Sequence, residues 1–180
     1  MKKNSIVLIG MSGVGKSTVG ALVARALKYE FIDLDEYIRR KDGKTVQQVI
    51  DEDGDEVLLK LEKERMRELS LKRRVVAPGG SIIYHADLMD YLKKNTTLVY
   101  LEDCYDNIEA RVEGDRLDRG IVGLKTKSLK QIYDERKPLY AKYADITIDC
   151  AGKSWEEIAD EVLQVFRKSS ASSLLQQGPD

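Results

Sequence analysis

The sequence has few of the residues from which disulfide frameworks, zinc sites and nucleic-acid surfaces are built. Among 180 residues there are two cysteines, Cys104 and Cys150, and one histidine, His85, and their spacing matches neither a zinc site nor a disulfide framework. The 30 lysines and arginines are balanced by 31 aspartates and glutamates. The resulting formal charge of −1 argues against non-specific binding to duplex nucleic acid, which needs a basic surface. We therefore expect a protein of a reducing compartment, the cytoplasm, that binds no nucleic acid.

A long hydrophobic segment is also missing at the N-terminus. Met1-Lys2-Lys3 leads into an apolar run of only four residues, Ile6–Ile9, whereas a signal peptide needs roughly 7–15 apolar residues and a membrane-spanning helix about 20. The sequence therefore predicts no membrane association. Its length favours a single domain, and its 42% of hydrophobic residues can supply the core of a globular protein, which we expect to be a monomer.

The first apolar run is followed by a glycine-rich segment that can hold phosphate. Ile6–Ile9 is typical of a buried strand. This strand is followed by the segment Gly10-Met11-Ser12-Gly13-Val14-Gly15-Lys16-Ser17-Thr18, after which apolar residues recur at helical spacing. The segment fits the phosphate-binding motif G-x-x-x-x-G-K-[ST]. In this motif the glycines turn backbone N–H groups toward a phosphate. Lys16 would place a cation on the outer phosphates, and Ser17 would offer its hydroxyl to Mg²⁺. The alternative is a turn that only caps the helix. We predict ATP and Mg²⁺ as cofactors, with nucleotide contacts from Gly10, Gly13, Gly15, Lys16, Ser17 and Thr18.

Strand and helix patterns alternate along the rest of the chain. Further strands are predicted at residues 29–33, Arg74–Ala77, Thr97–Glu102 and residues 145–149, with helical patterns between them and a last helix from Trp155 to Phe166. This alternation predicts an α/β fold with a parallel sheet, helices on both faces and a ligand site beyond the carboxyl ends of the strands. We expect one domain over residues 1–168, with a substrate-binding insertion at about 36–60, a mobile lid at about 114–127 and a disordered tail over 169–180.

Two aspartates lie at the end of the second predicted strand. In Phe31-Ile32-Asp33-Leu34-Asp35 the two-residue period of a strand points both carboxylates to the same side. Beside a bound triphosphate, one carboxylate can hold the metal, as we predict for Asp33 with Ser17, and the other can accept the proton of an attacking hydroxyl, as we predict for Asp35. Together with Lys16, these aspartates are our catalytic candidates. The alternative is that Asp35 caps the following helix.

A glycine pair and four arginines complete the candidate site. Pro78-Gly79-Gly80-Ser81 follows a buried strand, and adjacent glycines allow a ligand to approach the backbone, although a simple turn would also explain them. Phosphoryl transfer spreads negative charge over the moving group, and a guanidinium from a closing segment stabilises that charge. Their place in the predicted lid makes Arg116 and Arg119 catalytic candidates. Arg111 and Arg136 are the other two arginines that we consider.

Taken together, these residues resemble the shikimate kinase family, small-molecule kinases of the nucleoside-monophosphate-kinase fold group, over residues 5–166. The matching segments are residues 10–18, 31–38, 54–62, 77–80 and 134–140. The resemblance implies a five-stranded parallel sheet in the order 2-3-1-4-5 and ATP-dependent phosphorylation of a hydroxyl of shikimate, a small-molecule acceptor. It also implies Asp33 near the metal, Asp35 on the acceptor hydroxyl, Gly79 and Gly80 along the substrate, Arg111 against adenine and Arg136 on the substrate carboxylate.

The sequence departs from the family pattern at three places. Leu58-Leu59 replaces a Phe-Arg pair of the family, whose arginine binds the shikimate carboxylate. Ser81 replaces a third glycine. In the lid, the usual Arg-Pro-Leu-Leu is replaced by Arg116-Leu117-Asp118-Arg119-Gly120. We therefore expect weaker binding of shikimate than is typical of the family. A kinase of another small hydroxylated metabolite and a nucleotide-binding protein without catalysis are the alternatives. A nucleoside-monophosphate kinase fits less well, because the acidic segment Asp51-Glu52-Asp53-Gly54-Asp55-Glu56 suits an anionic acceptor poorly.

Overall fold

Strands and helices alternate along the chain, as the sequence pattern predicts. The computed structural model describes residues 3–114 and 120–175, and the last six of these by their backbone alone. In chain order the elements are β1 (Ile6–Ile9), α1 (Lys16–Leu27), β2 (Glu30–Asp33), α2 (Leu34–Asp42), α3 (Val46–Glu52), α4 (Asp55–Glu68), β3 (Arg74–Ala77), a 3₁₀ helix (Gly80–Tyr84), α5 (Ala86–Asn95), β4 (Thr97–Glu102), α6 (Tyr105–Gly114), α7 (Leu129–Tyr143), β5 (Ile146–Asp149) and α8 (Trp155–Leu175).

The five strands form one parallel sheet with β1 at its centre. The strand order is β2-β3-β1-β4-β5, which confirms the predicted order. All four residues of β1 are buried, as expected for a strand with a partner on each side in a sheet that helices cover. The register pairs Asp33 with Ala77, so the carboxyl ends of β2 and β3 lie level with each other. Functional side chains that follow these strands are therefore brought to one edge of the sheet.

Helix α1 packs closely on the sheet through a glycine. Gly20 is buried, and a Cβ atom built at this position would lie 2.5 Å from Cε2 of Phe31 in β2 and 3.2 Å from Cδ1 of Leu8 in β1. Because no side chain intervenes, α1 lies close to both strands. This packing holds the first turn of α1 near the carboxyl edge of the sheet, where the glycine-rich segment ends.

The predicted insertion folds as helices α2 and α3 and the start of α4. Thr45 and Gln48 form a reciprocal capping box at the start of α3, and three apolar residues of this short helix are buried. Arg65 of α4 is paired with Asp42 at the end of α2, with 2.5 Å between the guanidinium and carboxylate atoms. The insertion therefore forms a helical wall beside the carboxyl edge of the sheet.

The segment predicted as a lid is only partly described, and Ile121 and Val122 are the buried residues of the described part. Residues 115–119, which include the candidates Arg116 and Arg119, lie outside the described residues. Beyond them, Ile121 and Val122 are buried and the Gly123 N–H donates to Asp55 Oδ2 at 2.8 Å. Residues 121–123 thus pack toward α4, whereas residues 124–127 are exposed, and the mobile lid stays a prediction.

The C-terminal helix is longer than predicted. The sequence placed its end at Phe166 and a disordered tail from Ser169, but α8 continues to Leu175. Its extension contains no proline or glycine to stop a helix, and the Ser169 hydroxyl donates to the Phe166 carbonyl at 2.9 Å. The tail prediction was therefore wrong for residues 169–175. Even this helix is not apolar enough for a bilayer, and nowhere in residues 3–114 and 120–175 does a helix meet the requirements for crossing one.

We predict that Gly20→Val destabilises the protein by about 1–3 kcal/mol, because the added side chain overlaps Phe31 in a packed core. Ala21→Val is the matched control, since it places the same residue at the next, exposed position of α1. The measurement is the free energy of unfolding in urea. Equal effects of the two substitutions would contradict the close packing of α1 on β2.

Candidate active site

A cavity of about 860 Å³ opens at the carboxyl edge of the sheet. Its wall is made by the glycine-rich segment, the end of β2, the segment after β3, and parts of the helices around them. The candidate residues that line it are Gly13, Gly15, Lys16, Ser17, Thr18, Asp33, Asp35, Gly79, Gly80 and Arg111. The structure therefore brings together in one cavity residues from four separate parts of the sequence.

The glycine-rich segment forms a tight loop between β1 and α1. Gly13 and Gly15 have φ angles of 86° and 94°, a conformation that glycine adopts with little cost. Lys16 is the first residue of α1, and its Nζ donates to the carbonyls of Gly10 and Met11, each at 2.9 Å. The ammonium group is thus held at the loop, at the positive end of a helix, where a phosphate group is favoured.

Asp33 connects the phosphate loop with the next helix. Its Oδ2 accepts a hydrogen bond from the Ser17 hydroxyl at 2.5 Å, and its Oδ1 accepts from the backbone N–H groups of Asp35 and Glu36 at 3.1 and 3.2 Å. Asp33 is therefore the N-cap of α2, and the alternative in which Asp35 caps this helix is wrong. The cap forms at Asp33 because α2 begins directly at the end of β2.

The pair of Ser17 and Asp33 fits a magnesium ion. Mg²⁺ is bound in nucleotide sites by one or two protein oxygens, with phosphate oxygens and water completing its octahedron. A hydroxyl and a carboxylate meet here at the edge of the phosphate loop. Within the described residues there is no group of three or more His, Cys, Asp or Glu side chains that could hold a metal ion by themselves. The site thus suits an ion that is bound together with a nucleotide.

Behind the glycine pair lies a buried acid that the sequence analysis missed. A Cβ atom built at Gly79 would lie 2.1 Å from Glu62 Oε1 and 3.4 Å from Asp35 Oδ1. Glu62 is only 2% exposed, and its Oε2 accepts from the Ser81 hydroxyl at 2.6 Å. Burial, reinforced by the nearby charge of Asp35, raises the pKa of Glu62 to about 8. Both effects favour the uncharged form of this carboxyl.

The position of Glu62 in its helix could have revealed it. Leu58, Glu62 and Met66 are the buried residues of α4, and they follow one another at intervals of four. An acid in the middle of an apolar stripe is unusual, because a buried carboxyl needs a hydrogen-bond partner or a proton. This signal was available in the sequence.

Arg136 lies behind the second glycine of the pair. A Cβ atom built at Gly80 would lie 3.0 Å from Arg136 Nη1. The side chain is 1% exposed, its Nη2 donates to the Val122 carbonyl at 2.8 Å, and its Nε donates to the Tyr84 hydroxyl at 3.1 Å. The structure therefore brings Arg136 next to the acceptor glycines, but as a buried side chain that does not line the cavity.

Arg111 and Trp155 form the opposite end of the cavity. Arg111 Nη1 donates to the buried Asp103 at 2.8 Å, and its guanidinium lies 5.0 Å from the centre of the Trp155 ring. The indole also packs against Gly15, where an added Cβ would approach it to 2.4 Å. The structure places Trp155 in the cavity wall beside the phosphate loop, a role that the sequence analysis did not assign to it. An arginine and an aromatic ring here can hold a planar base.

Comparison with known proteins gives one family for most of the chain. The shikimate kinase family model matches residues 12–167. The chain is 35% identical over 164 residues to the shikimate kinase of Persephonella marina, with 91% of this chain and 99% of the relative covered. It is 34% identical over 167 residues to the shikimate kinase of Caldanaerobacter subterraneus, with 91% and 96% covered.

Solved structures give the same result. A shikimate kinase from Acinetobacter baumannii in complex with shikimate superimposes with a TM-score of 0.85 at 30% identity, with 93% of this chain and 94% of the other covered. The shikimate kinase of Aquifex aeolicus gives a TM-score of 0.77 at 28% identity, with 93% and 98% covered. A gluconokinase from Sinorhizobium meliloti, at 20% identity and a TM-score of 0.59, with 97% and 98% covered, shares the fold alone.

Proposed function

The chain belongs to the shikimate kinase family, and we propose that it transfers the γ-phosphoryl group of ATP to a ring hydroxyl of shikimate. It is an ATP-dependent phosphotransferase, as the family assignment requires. The observation that supports the acceptor chemistry best is the arrangement of one cavity: Lys16 in the phosphate loop at one side, and Asp35 beside the glycine pair at the other. A nucleotide-binding protein without catalysis would have no need of an aspartate beside a glycine pair in the same cavity.

The nucleotide half of the site is proposed as follows. Backbone N–H groups of the loop and the Lys16 ammonium bind the phosphates, and Arg111 with Trp155 holds the base. Ser17 and Asp33 would hold Mg²⁺, which supplies charge neutralisation on the phosphates when it is bound. Arg116 and Arg119 stay predictions, because they lie outside the described residues.

In the acceptor half, Asp35 is proposed to receive the proton of the attacking hydroxyl. The bond from the acceptor oxygen to the γ-phosphorus forms, the bond from that phosphorus to the bridging oxygen breaks, and the acceptor proton moves to Asp35. Asp33, and not Asp35, caps α2, and the Asp35 side chain lines the cavity. Gly79 and Gly80 are proposed to let the acceptor lie against the backbone. The contact of Arg136 with the acceptor carboxylate stays a prediction of the family resemblance, because this side chain is buried behind Gly80.

We expect Lys16→Ala to abolish ATP turnover and leave the fold intact, because this lysine serves phosphate charge and not the apolar core. The only tryptophan of the sequence gives the readout, since Trp155 lies in the cavity wall and its fluorescence should change when ATP binds. Titration with ATP and thermal melting are measured on both proteins. Turnover at the wild-type rate would contradict the role of the phosphate loop.

Asp35→Asn should lower kcat by a factor of about 10² or more, because a positioned base contributes about 10²–10⁴. Its affinity for ATP, measured by Trp155 fluorescence, should change much less. Asp33→Asn is the companion variant, and it should instead raise the Mg²⁺ concentration needed for half-maximal turnover. An unchanged kcat in Asp35→Asn would show that another group accepts the proton.

Leu59 occupies the position at which the resemblance places an arginine that binds the shikimate carboxylate. A hydrogen bond to a charged group contributes roughly 1.5–3 kcal/mol, or about 10- to 150-fold in affinity. We therefore expect a KM for shikimate in the millimolar range and a decrease of about tenfold or more in Leu59→Arg. Val57→Arg adds the same charge at an exposed site of α4 and should have no such effect. A low-micromolar KM of the unaltered protein would contradict this prediction.

A further inference from the structure

The glycine pair of the acceptor site rests on two buried, ionisable side chains. Glu62 of α4 lies behind Gly79 and Arg136 of α7 lies behind Gly80. Both are at most 2% exposed, so neither is on the cavity surface. A buried ionisable group carries a cost unless it is hydrogen-bonded, paired or neutral, and its retention at this point calls for an explanation.

The surroundings of Glu62 are those of an uncharged acid. Within the described residues no lysine or arginine forms an ion pair with it, and the polar contact of its Oε2 is the Ser81 hydroxyl. The charged groups that face it are Asp35 from α2, Arg136 from α7 and Lys16 from α1.

The two oxygens of the Glu62 carboxyl have different surroundings. Oε2 is held by the Ser81 hydroxyl at 2.6 Å. Oε1 is the atom that lies against Gly79, and Asp35 Oδ1 lies near the same point, within 3.4 Å of the Cβ position of Gly79. The carboxyl groups of Glu62 and Asp35 thus both lie beside Gly79.

We propose that Glu62 is a positioning residue of the acceptor site: held by Ser81, its carboxyl supports Gly79 and orients the Asp35 carboxylate toward the acceptor hydroxyl. This proposal rests on the proposed function, because it assigns the orientation of the base in that reaction. It also connects two departures from the family pattern. Ser81 donates to Glu62, and Leu59 precedes Glu62 by three residues in α4, a spacing at which helical side chains are neighbours.

The decisive variant is Glu62→Gln, which keeps the shape and a hydrogen-bond donor but cannot ionise. Burial and Asp35 raise the pKa of Glu62 to about 8, so the wild-type kcat should fall above about pH 8, where a second negative charge appears beside Asp35. Glu62→Gln should keep kcat at pH 7 within about threefold and lose this alkaline fall. Glu62→Ala should lose about 10- to 100-fold in kcat, because the base is no longer oriented, with little change in ATP affinity.

Two further variants separate this role from a structural one. Ser81→Ala removes a hydrogen bond that stabilises the ionised carboxylate, so the alkaline fall should move to higher pH. Glu64→Gln, at an exposed position of the same helix, is the matched control and should keep the wild-type profile. An alkaline fall that persists in Glu62→Gln, or a Glu62→Gln protein as inactive as Glu62→Ala, would overturn the proposal.

A readout without turnover keeps this inference distinct from the proposed function. In protein labelled with ¹³C at the glutamate carboxyls, the signal absent from Glu62→Gln belongs to Glu62 and should titrate near pH 8. In Asp35→Asn it should titrate at lower pH, because the neighbouring charge that raises the pKa is gone. Titration near pH 4.5, or no response to Asp35→Asn, would overturn the proposal. A wild-type protein that binds ATP but phosphorylates no shikimate would overturn the proposed function, while this titration would still decide whether Glu62 and Asp35 are coupled.

Discussion

The Asp33 carboxylate is the interaction on which the site depends. One of its oxygens accepts from Ser17 at the start of α1, and the other caps α2 by accepting from two backbone N–H groups. The phosphate loop and the acceptor helix are thereby joined through a single side chain at the end of β2. Because the cap is Asp33, α2 begins without a connecting loop, and Asp35 is carried into the cavity on its first turn. A cap at Asp35 would have turned that carboxylate toward the backbone.

The acceptor half of the site depends on the close approach of α4 and α7 to Gly79 and Gly80. Gly79 and Gly80 have no side chains, so Glu62 and Arg136 can reach the backbone from behind while the cavity stays open in front. The Tyr140 hydroxyl donates to the Gly80 carbonyl at 2.7 Å, and its ring stacks on Tyr100 with 5.2 Å between centroids. Buried polar groups that are satisfied in this way hold a backbone in one position. The acceptor glycines are flexible by residue type and are held in place by their buried neighbours.

Two of the three departures from the family pattern, at positions 59 and 81, lie around this buried layer. Position 59 lies on α4 and position 81 lies in the 3₁₀ helix, yet both are connected to Glu62, one by helical spacing and one by a hydrogen bond. The phosphate loop, in contrast, keeps every residue type of its motif. The two halves of the cavity thus differ in how they compare with the family. The phosphate loop keeps the residue types of the family motif, and the acceptor half has different residues at positions 59 and 81.

The sequence by itself determined the parts whose chemistry is local. The phosphate loop needs only contiguous residues between a buried strand and a helix, and the strand order followed from a resemblance carried by several such segments. Tertiary structure decided which of Asp33 and Asp35 caps α2, and it placed Trp155 in the cavity wall and Glu62 behind Gly79. Glu62 and Gly79 are 17 positions apart, and Trp155 and Gly15 are 140 apart. No local rule joins such residues, because their contact exists only when the parallel register brings the ends of three strands to one edge and helices pack against that edge.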